Sequence, residues 1–149
     1  MTKREFKGRN VVAGKMKGEA LVSKEGVNTL ATFQKSILAK KKIVQGSDQN
    51  NPDTFKKEIT GKVLCLPRTI GSTTGGMVLQ SAAAMGLAPS AMLFSESIDS
   101  IAAAGVILAD VWTPNKIVTI DNLGEDFLNY VKDHMTISIN EDGTVIVEG

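Results

Sequence analysis

Residues 67–76 read PRTIGSTTGG and combine glycines with hydroxyl side chains between two apolar runs. Glycine lets backbone N–H groups approach a ligand closely. The start of a helix favours an anion by roughly 0.3–1 kcal/mol when it is exposed, and a hydroxyl can bind an anion or react. The segment therefore predicts either a site for a carboxylate or phosphate, or an ordinary strand-to-helix turn in which Ser or Thr caps the helix.

The spacing of this segment differs from that of two well-known phosphate-binding loops. No Gly-Lys-Ser/Thr follows it, which excludes the P-loop, and its glycines lack the Gly-x-Gly-x-x-Gly spacing. Composition alone leaves the site and the helix cap as alternatives.

Hydrophobic runs predict the elements that must position this segment. Strands alternate with helices in the middle of the chain, which favours parallel pairing with right-handed crossovers. In order, we expect strand 62–66, helix 77–85 ended by Gly86, strand 91–94, helix 98–104 between Ser97 and Gly105, a short strand 106–108, strand 116–120, and a helix around 125–133 capped by Asp121 or Asn122.

The two ends of the chain add further strands. We expect strands at 11–13 and 19–23, a short helix within 24–42, a polar loop at 46–53, and a terminal hairpin over 135–147. Together these elements predict one compact α/β domain over residues 1–149, with a barrel-like mixed sheet and flanking helices.

Composition excludes several classes of protein. The chain has 149 residues and a net charge of +1, which does not suggest nucleic-acid binding. It has no long apolar run for a membrane span and no signal-peptide pattern at its start, so we expect a cytoplasmic protein. One Cys and one His cannot form a disulfide, a Cys/His zinc site or an iron–sulfur cluster within the chain. Any metal chemistry must therefore come from a partner.

The chain resembles the small, swivelling domain of the aconitase X family. The opening residues 6–23 and the Ile-x-x-Ala-Gly pattern near 101–107 are similar to that family, and the resemblance covers most of the chain. The most specific matches are Gly61-Lys62-Val63-Leu64, Pro67, Gly71-Ser72-Thr73, Gly75 and Ala88-Pro89-Ser90-Ala91.

The resemblance implies a fold like domain 4 of aconitase and a role as the small subunit of a dehydratase that is inactive alone. A large subunit would hold an iron–sulfur cluster as Lewis acid on the leaving hydroxyl. Ser72 would take a proton beside the substrate carboxylate, its alkoxide stabilised by backbone N–H groups. Gly71, Thr73 and Thr74 would bind substrate, and Arg68 would supply positive charge.

Two positions depart from the family pattern. Ile70 stands where the family often has a basic residue, and Gly76 stands where it often has Ser. Two activities fit the family, the dehydration of cis-3-hydroxy-L-proline and that of phosphomevalonate. Because a basic residue would help to bind phosphate, Ile70 favours the hydroxyproline or a related small hydroxy acid.

Two other classes of protein are alternatives to a dehydratase subunit. A non-enzymatic module could bind a carboxylate or phosphate at the same helix start. A phosphocarrier swivel domain needs a His in its glycine-rich region, whereas the one His of this chain is His134, so this class is disfavoured. A dehydratase subunit predicts an exposed loop at 71–76 and an apolar surface for its partner.

Three residues outside the loop have expected roles that are separate from the site. Cys65 lies within an apolar run and is expected to be a buried structural thiol. His134 is expected to be a helix C-terminal cap or a surface residue. Trp112 is either a packing anchor or an interface residue.

Overall fold

A computed structural model describes residues 3–39, 42–70 and 75–149 of the chain. The strands are β1 (Lys3–Lys7), β2 (Arg9–Val12), β3 (Met16–Val22), β4 (Val27–Asn28), β5 (Val63–Leu66), β6 (Thr69–Ile70), β7 (Ala91–Phe94), β8 (Val118–Asp121), β9 (Thr136–Ile139) and β10 (Thr144–Glu148). The helices are α1 (Thr29–Leu38), α2 (Gly75–Ala84), α3 (Ser100–Trp112) and α4 (Glu125–Tyr130).

The main sheet is mixed and nearly closed. Its strand order is β1-β10-β9-β3-β5-β7-β8-β2, and β3, β5, β7 and β8 run parallel to one another. The outermost strands β1 and β2 are separated in the chain only by Gly8, so the ends of the sheet come together there. The predicted barrel-like α/β fold with flanking helices is confirmed.

Two hydrophobic cores lie on opposite faces of the parallel strands. Val63 and Cys65 of β5 pack in one core with Phe127 of α4. Leu64 and Leu66 of the same strand pack in the other core, together with residues of α1, α2 and α3. Burial on both faces explains why β5 and β7 are uninterrupted apolar runs.

The structure corrects the prediction for residues 97–108. One helix, α3, runs through this region, with Asp99 rather than Ser97 at its N-cap and no strand at 106–108. Gly105 does not end the helix. A Cβ atom at Gly105 would lie 2.5 Å from the carbonyl oxygen of Gly76 on α2, so this glycine permits two helices to pack closely.

The helix predicted over 125–133 is shorter, and its predicted caps are wrong. It ends at Tyr130, and Gly124, with φ of 93°, occupies the N-cap position. Asp121 is instead buried at the end of β8. There it forms an ion pair with Arg9 at 2.5 Å and accepts a hydrogen bond from the backbone N–H of Ile98 at 2.8 Å.

The other expected elements are present with small shifts in their bounds. α1 lies within the predicted 24–42 region, and β9 and β10 form the terminal hairpin. The end of α2 is as predicted, because Gly86 has φ of 72° and the N–H of Leu87 donates to the carbonyl of Ala82 at 2.8 Å. Strands β1, β4 and β6 had no counterpart among the sequence-based expectations.

Candidate functional site

The glycine- and hydroxyl-rich segment leaves the sheet at the carboxyl end of β5. The chain passes through β6, which pairs in parallel with β4, and α2 begins at Gly75. Residues 71–74 lie outside the described residues. The roles assigned to Gly71, Ser72, Thr73 and Thr74 therefore stay predictions, and the site is built here from the two ends of the loop.

The upstream end of the loop is anchored to two other parts of the fold. The N–H of Val27 donates to the carbonyl of Arg68 at 2.9 Å, and Ile70 pairs with Asn28 in the β4–β6 register. The Thr69 hydroxyl donates to a carboxylate oxygen of Asp99 at the start of α3. These contacts hold β6 between α1 and α3.

The downstream end is held by close backbone packing. Gly75 and Gly76 are buried, although an exposed loop was predicted for 71–76. A Cβ atom at Gly75 would overlap the hydroxyl of Thr29, the first residue of α1, and one at Gly76 would lie 2.5 Å from the carbonyl oxygen of Ile101. The start of α2 therefore lies against the first turns of α1 and α3, which only glycine permits.

A cavity of about 230 Å³ lies where these helix starts meet. Unpaired N–H groups and the partial positive charge of a helix N-terminus favour an anion. The carboxylate of Asp99 adds a negative charge to the same cavity. Its described lining consists of Thr29, Thr69, Ile70, Gly75, Asp99, Ile101 and Ala102.

Asp99 is held in place by two hydrogen bonds. Oδ1 accepts from the Thr69 hydroxyl, and Oδ2 accepts from the N–H of Ala102 at 2.9 Å. The second bond caps α3. Asp99 is not among the site residues predicted from the sequence. Its contact with Thr69 joins residues 30 positions apart and has no local sequence signal.

Arg68 does not line the described part of this cavity. Its side chain is exposed and forms an ion pair with Glu96, with Nη1 and Oε2 2.7 Å apart. The positive charge expected to assist substrate binding therefore has an acidic partner close by. The substrate-binding role of Arg68 stays a prediction.

Cys65 and His134 lie away from the loop. Cys65 is fully buried, as predicted, and burial, followed by the nearby charge of Asp133, raises the pKa of its thiol. His134 is exposed in the turn before β9, with Nδ1 3.0 Å from a carboxylate oxygen of Glu19. Lys62 and His134, both hydrogen-bonded to Glu19, lower the pKa of that carboxyl.

The described part of the chain contains no cluster of three or more His, Cys, Asp or Glu residues that could hold a metal ion. Among its helices, none combines the length and the apolar character needed to cross a membrane. Large apolar side chains are nevertheless exposed on α2 and α3. Trp112 is one of them and is not a packing anchor of the core; the others are Met77, Ile107, Leu108 and Val111.

Similar proteins were found by sequence. The phosphomevalonate dehydratase small subunit of Thermococcus gammatolerans is 34% identical over 107 residues, covering 72% of this chain and 76% of the relative. The phosphomevalonate dehydratase small subunit of Methanosarcina mazei is 29% identical over 139 residues, covering 91% and 85%.

Two solved structures have a similar fold. One is the crystal structure of aconitase X from Thermococcus kodakaraensis in its holo-form, with a TM-score of 0.81, 27% identity and coverage of 98% of this chain and 99% of that chain. The other is the solution NMR structure of a UPF0107 protein, with a TM-score of 0.74, 28% identity and coverage of 95% and 97%.

The family model that matches this sequence describes the aconitase X swivel domain and covers residues 5–147. The match includes every strand and helix that borders the cavity. It agrees with the resemblance that the Gly61–Leu64, Gly71–Thr73 and Ala88–Ala91 motifs suggested. The chain belongs to the aconitase X swivel-domain family.

Proposed function

We propose that this chain is the small subunit of a heteromeric aconitase X-type dehydratase that removes water from a small hydroxy acid. The observation that carries the proposal is the placement of the two ends of the loop that contains the family's Gly-Ser-Thr motif. The chain enters this loop from β6 and leaves it at the start of α2, beside a cavity onto which α1 and α3 also open. Relatives that cover most of this chain are named dehydratase small subunits.

Ser72 is the general base of this proposal. A hydroxyl is a weak base, so its alkoxide needs stabilisation by backbone N–H groups and by a helix N-terminus. The packing of Gly75 against Thr29 and of Gly76 against Ile101 brings the start of α2 to the cavity, which supports this assignment. Ser72 Oγ would accept a proton from the carbon beside the substrate carboxylate, and Gly71, Thr73 and Thr74 would hold that carboxylate.

The residues of this chain do not fit an iron–sulfur cluster. Such clusters are held mainly by several thiolates, whereas the single Cys65 is fully buried in the core. We therefore assign the cluster, and any step that depends on it, to a large subunit. The exposed apolar side chains on α2 and α3 support association with such a partner.

The first candidate substrate is cis-3-hydroxy-L-proline or a related small hydroxy acid. Ile70, at a position where a basic residue would help to bind phosphate, is half exposed at the cavity, and Arg68 is paired with Glu96. Phosphomevalonate is the second candidate, because the relatives from Thermococcus and Methanosarcina carry that name.

The test is to co-express this chain with an aconitase X-type large subunit from the same organism and to assay dehydration of both substrates. The Ser72→Ala complex should lose activity by about 10²- to 10⁴-fold, the usual contribution of a general base. Ser81→Ala, an exposed hydroxyl on α2, is the matched control and should keep the rate. Full activity of the Ser72→Ala complex would exclude Ser72 as the base.

A second measurement separates an enzyme subunit from a binding module. Isothermal titration of the isolated chain with phosphate and with small carboxylates should show weak binding or none, because the proposed site is completed by the large subunit. Tight binding by the isolated chain, together with an inactive complex, would favour the module.

A further inference from the structure

We infer that Asp99 is a specificity-determining residue, which selects substrates that carry an ammonium group and rejects those that carry phosphate. The inference rests on the proposed function and extends it from the reaction to the class of substrate. It is based on the charges around the cavity of about 230 Å³ beside the loop.

The carboxylate of Asp99 forms a fixed part of the cavity wall. Its two oxygens accept hydrogen bonds from the Thr69 hydroxyl and from the N–H of Ala102. A carboxylate has about four acceptor positions, so these two bonds orient the group and leave it able to accept more. An ammonium group in the cavity could form a charge-assisted hydrogen bond with it.

The described residues around the cavity provide no basic side chain to offset this charge. Its described lining contains no Lys, Arg or His. The nearby Arg68 is engaged with Glu96, so the pair carries no net charge when both are ionised. A phosphate group would therefore meet a net negative side-chain charge.

The backbone adds partial positive charge to the same cavity. The N-terminal ends of α1 and α2, at Thr29 and Gly75, border it and favour a carboxylate. A cavity lined both by the starts of α1 and α2 and by the Asp99 carboxylate matches a zwitterion, whose carboxylate would lie at those helix starts and whose ammonium group would lie at Asp99. The substrate class is therefore a hydroxy amino or imino acid.

Three variants of this chain in the reconstituted complex test the inference. Asp99→Asn removes the charge but keeps an oxygen acceptor, and Asn is as good an N-cap as Asp, so the fold should be retained. Glu96→Gln leaves the charge of Arg68 without its partner. Glu141→Gln makes the same charge change at an exposed position in the turn between β9 and β10 and serves as the control.

The readouts are KM for cis-3-hydroxy-L-proline and the inhibition constants of L-proline and inorganic phosphate. In the Asp99→Asn complex, KM and the inhibition constant of L-proline should rise about five- to tenfold, the effect of losing one ion pair in a partly solvated site. The inhibition constant of phosphate should fall several-fold. Glu96→Gln should lower only the inhibition constant of phosphate. Glu141→Gln should change neither KM nor the two inhibition constants.

Two results would count against different parts of the argument. In an active wild-type complex, equal changes for L-proline and phosphate, or no change, would overturn the role of Asp99 and leave the proposed function intact. A wild-type complex that dehydrates neither substrate would contradict the proposed function. In that case the role of Asp99 can be tested separately, by calorimetric titration of the complex with L-proline and with phosphate. Affinities that Asp99→Asn leaves unaltered would overturn that role.

Discussion

Gly76 of α2 and Gly105 of α3 are in direct backbone contact, so that a Cβ atom at Gly105 would lie 2.5 Å from the Gly76 carbonyl oxygen. α2 begins one residue before Gly76, where the loop ends, and α3 begins beside Asp99. The glycine contact therefore sets the distance between the start of α2, where the loop ends, and the Asp99 carboxylate at the start of α3.

We predict that Gly105→Ala destabilises the chain. Helix propensity alone would favour Ala by about 1 kcal/mol, but the added methyl group would overlap the backbone of α2, and such overpacking typically costs 1–3 kcal/mol or more. Urea unfolding should show a net loss of stability. Ala104→Gly, at an exposed position on the same helix, should cost about 1 kcal/mol. A Gly105→Ala chain more stable than wild type would contradict the close contact.

We predict a pH-dependent contribution to stability from Glu19. Its carboxylate accepts a hydrogen bond from Lys62 at 2.9 Å and lies 3.0 Å from His134, and these contacts lower its pKa below the ordinary value of 4.5. Because the folded-state pKa is the lower one, the stabilisation is present above the ordinary carboxyl range and is lost as pH falls through the folded-state pKa.

The variant Glu19→Gln measures this contribution. Its melting temperature should be lower than that of wild type at pH 7, by a small amount because the group is exposed. The difference should shrink as pH falls below 4.5 and approach zero once the Glu19 carboxyl of wild type is protonated in the folded as well as the unfolded state. Glu141→Gln, at another exposed position, should show no such trend. A difference that persists unchanged at low pH would refute the role of the carboxylate charge.

We predict that Cys65 is unreactive in the folded chain. It is fully buried on β5, and burial raises the pKa of the thiol, so little of the nucleophilic thiolate forms at neutral pH. A thiol reagent such as dithionitrobenzoate should detect almost no thiol in the native state and one thiol per chain in denaturant. Rapid reaction of one equivalent with the native chain would contradict the assigned core position.

Much of the fold could be predicted from hydrophobic pattern alone. Strands β5 and β7 are buried on both faces, so their sequences are continuous apolar runs that are easy to recognise. The end of α2 was predictable because Gly86 supplies the positive φ that a helix end often needs. These are local signals, and each can be interpreted without knowledge of the rest of the chain.

The errors came from residues whose role depends on distant partners. Gly105 resembles a helix end in sequence, but its function is to contact Gly76, nearly 30 positions away. Asp121 resembles a helix cap in sequence, but it is buried and forms an ion pair with Arg9, 112 positions away. A single sequence gives no signal for either contact.

The candidate site was only partly predictable for the same reason. The glycine and hydroxyl residues at 67–76 indicated the loop, because their composition is unusual between a strand and a helix. The contact between Thr69 and Asp99 was not predicted. Thr69 and Asp99 are common polar residues, and their pairing follows from the parallel arrangement of β5 and β7, which brings the segments after both strands to one edge of the sheet.

The connection at Gly8, where the edge strands β1 and β2 of the main sheet meet, limits how other chains can attach to this one. β1 pairs with β10 and β2 pairs with β8, so one continuous stretch of chain forms both edges of the main sheet. Each edge strand is unpaired on one side, over five residues in β1 and four residues in β2. Cationic side chains at Lys3, Arg4, Lys7 and Arg9 occupy those stretches, which discourages edge-to-edge growth into fibrils. Association with another polypeptide is therefore directed to the helices and loops, where side-chain chemistry rather than main-chain pairing determines which partner is accepted.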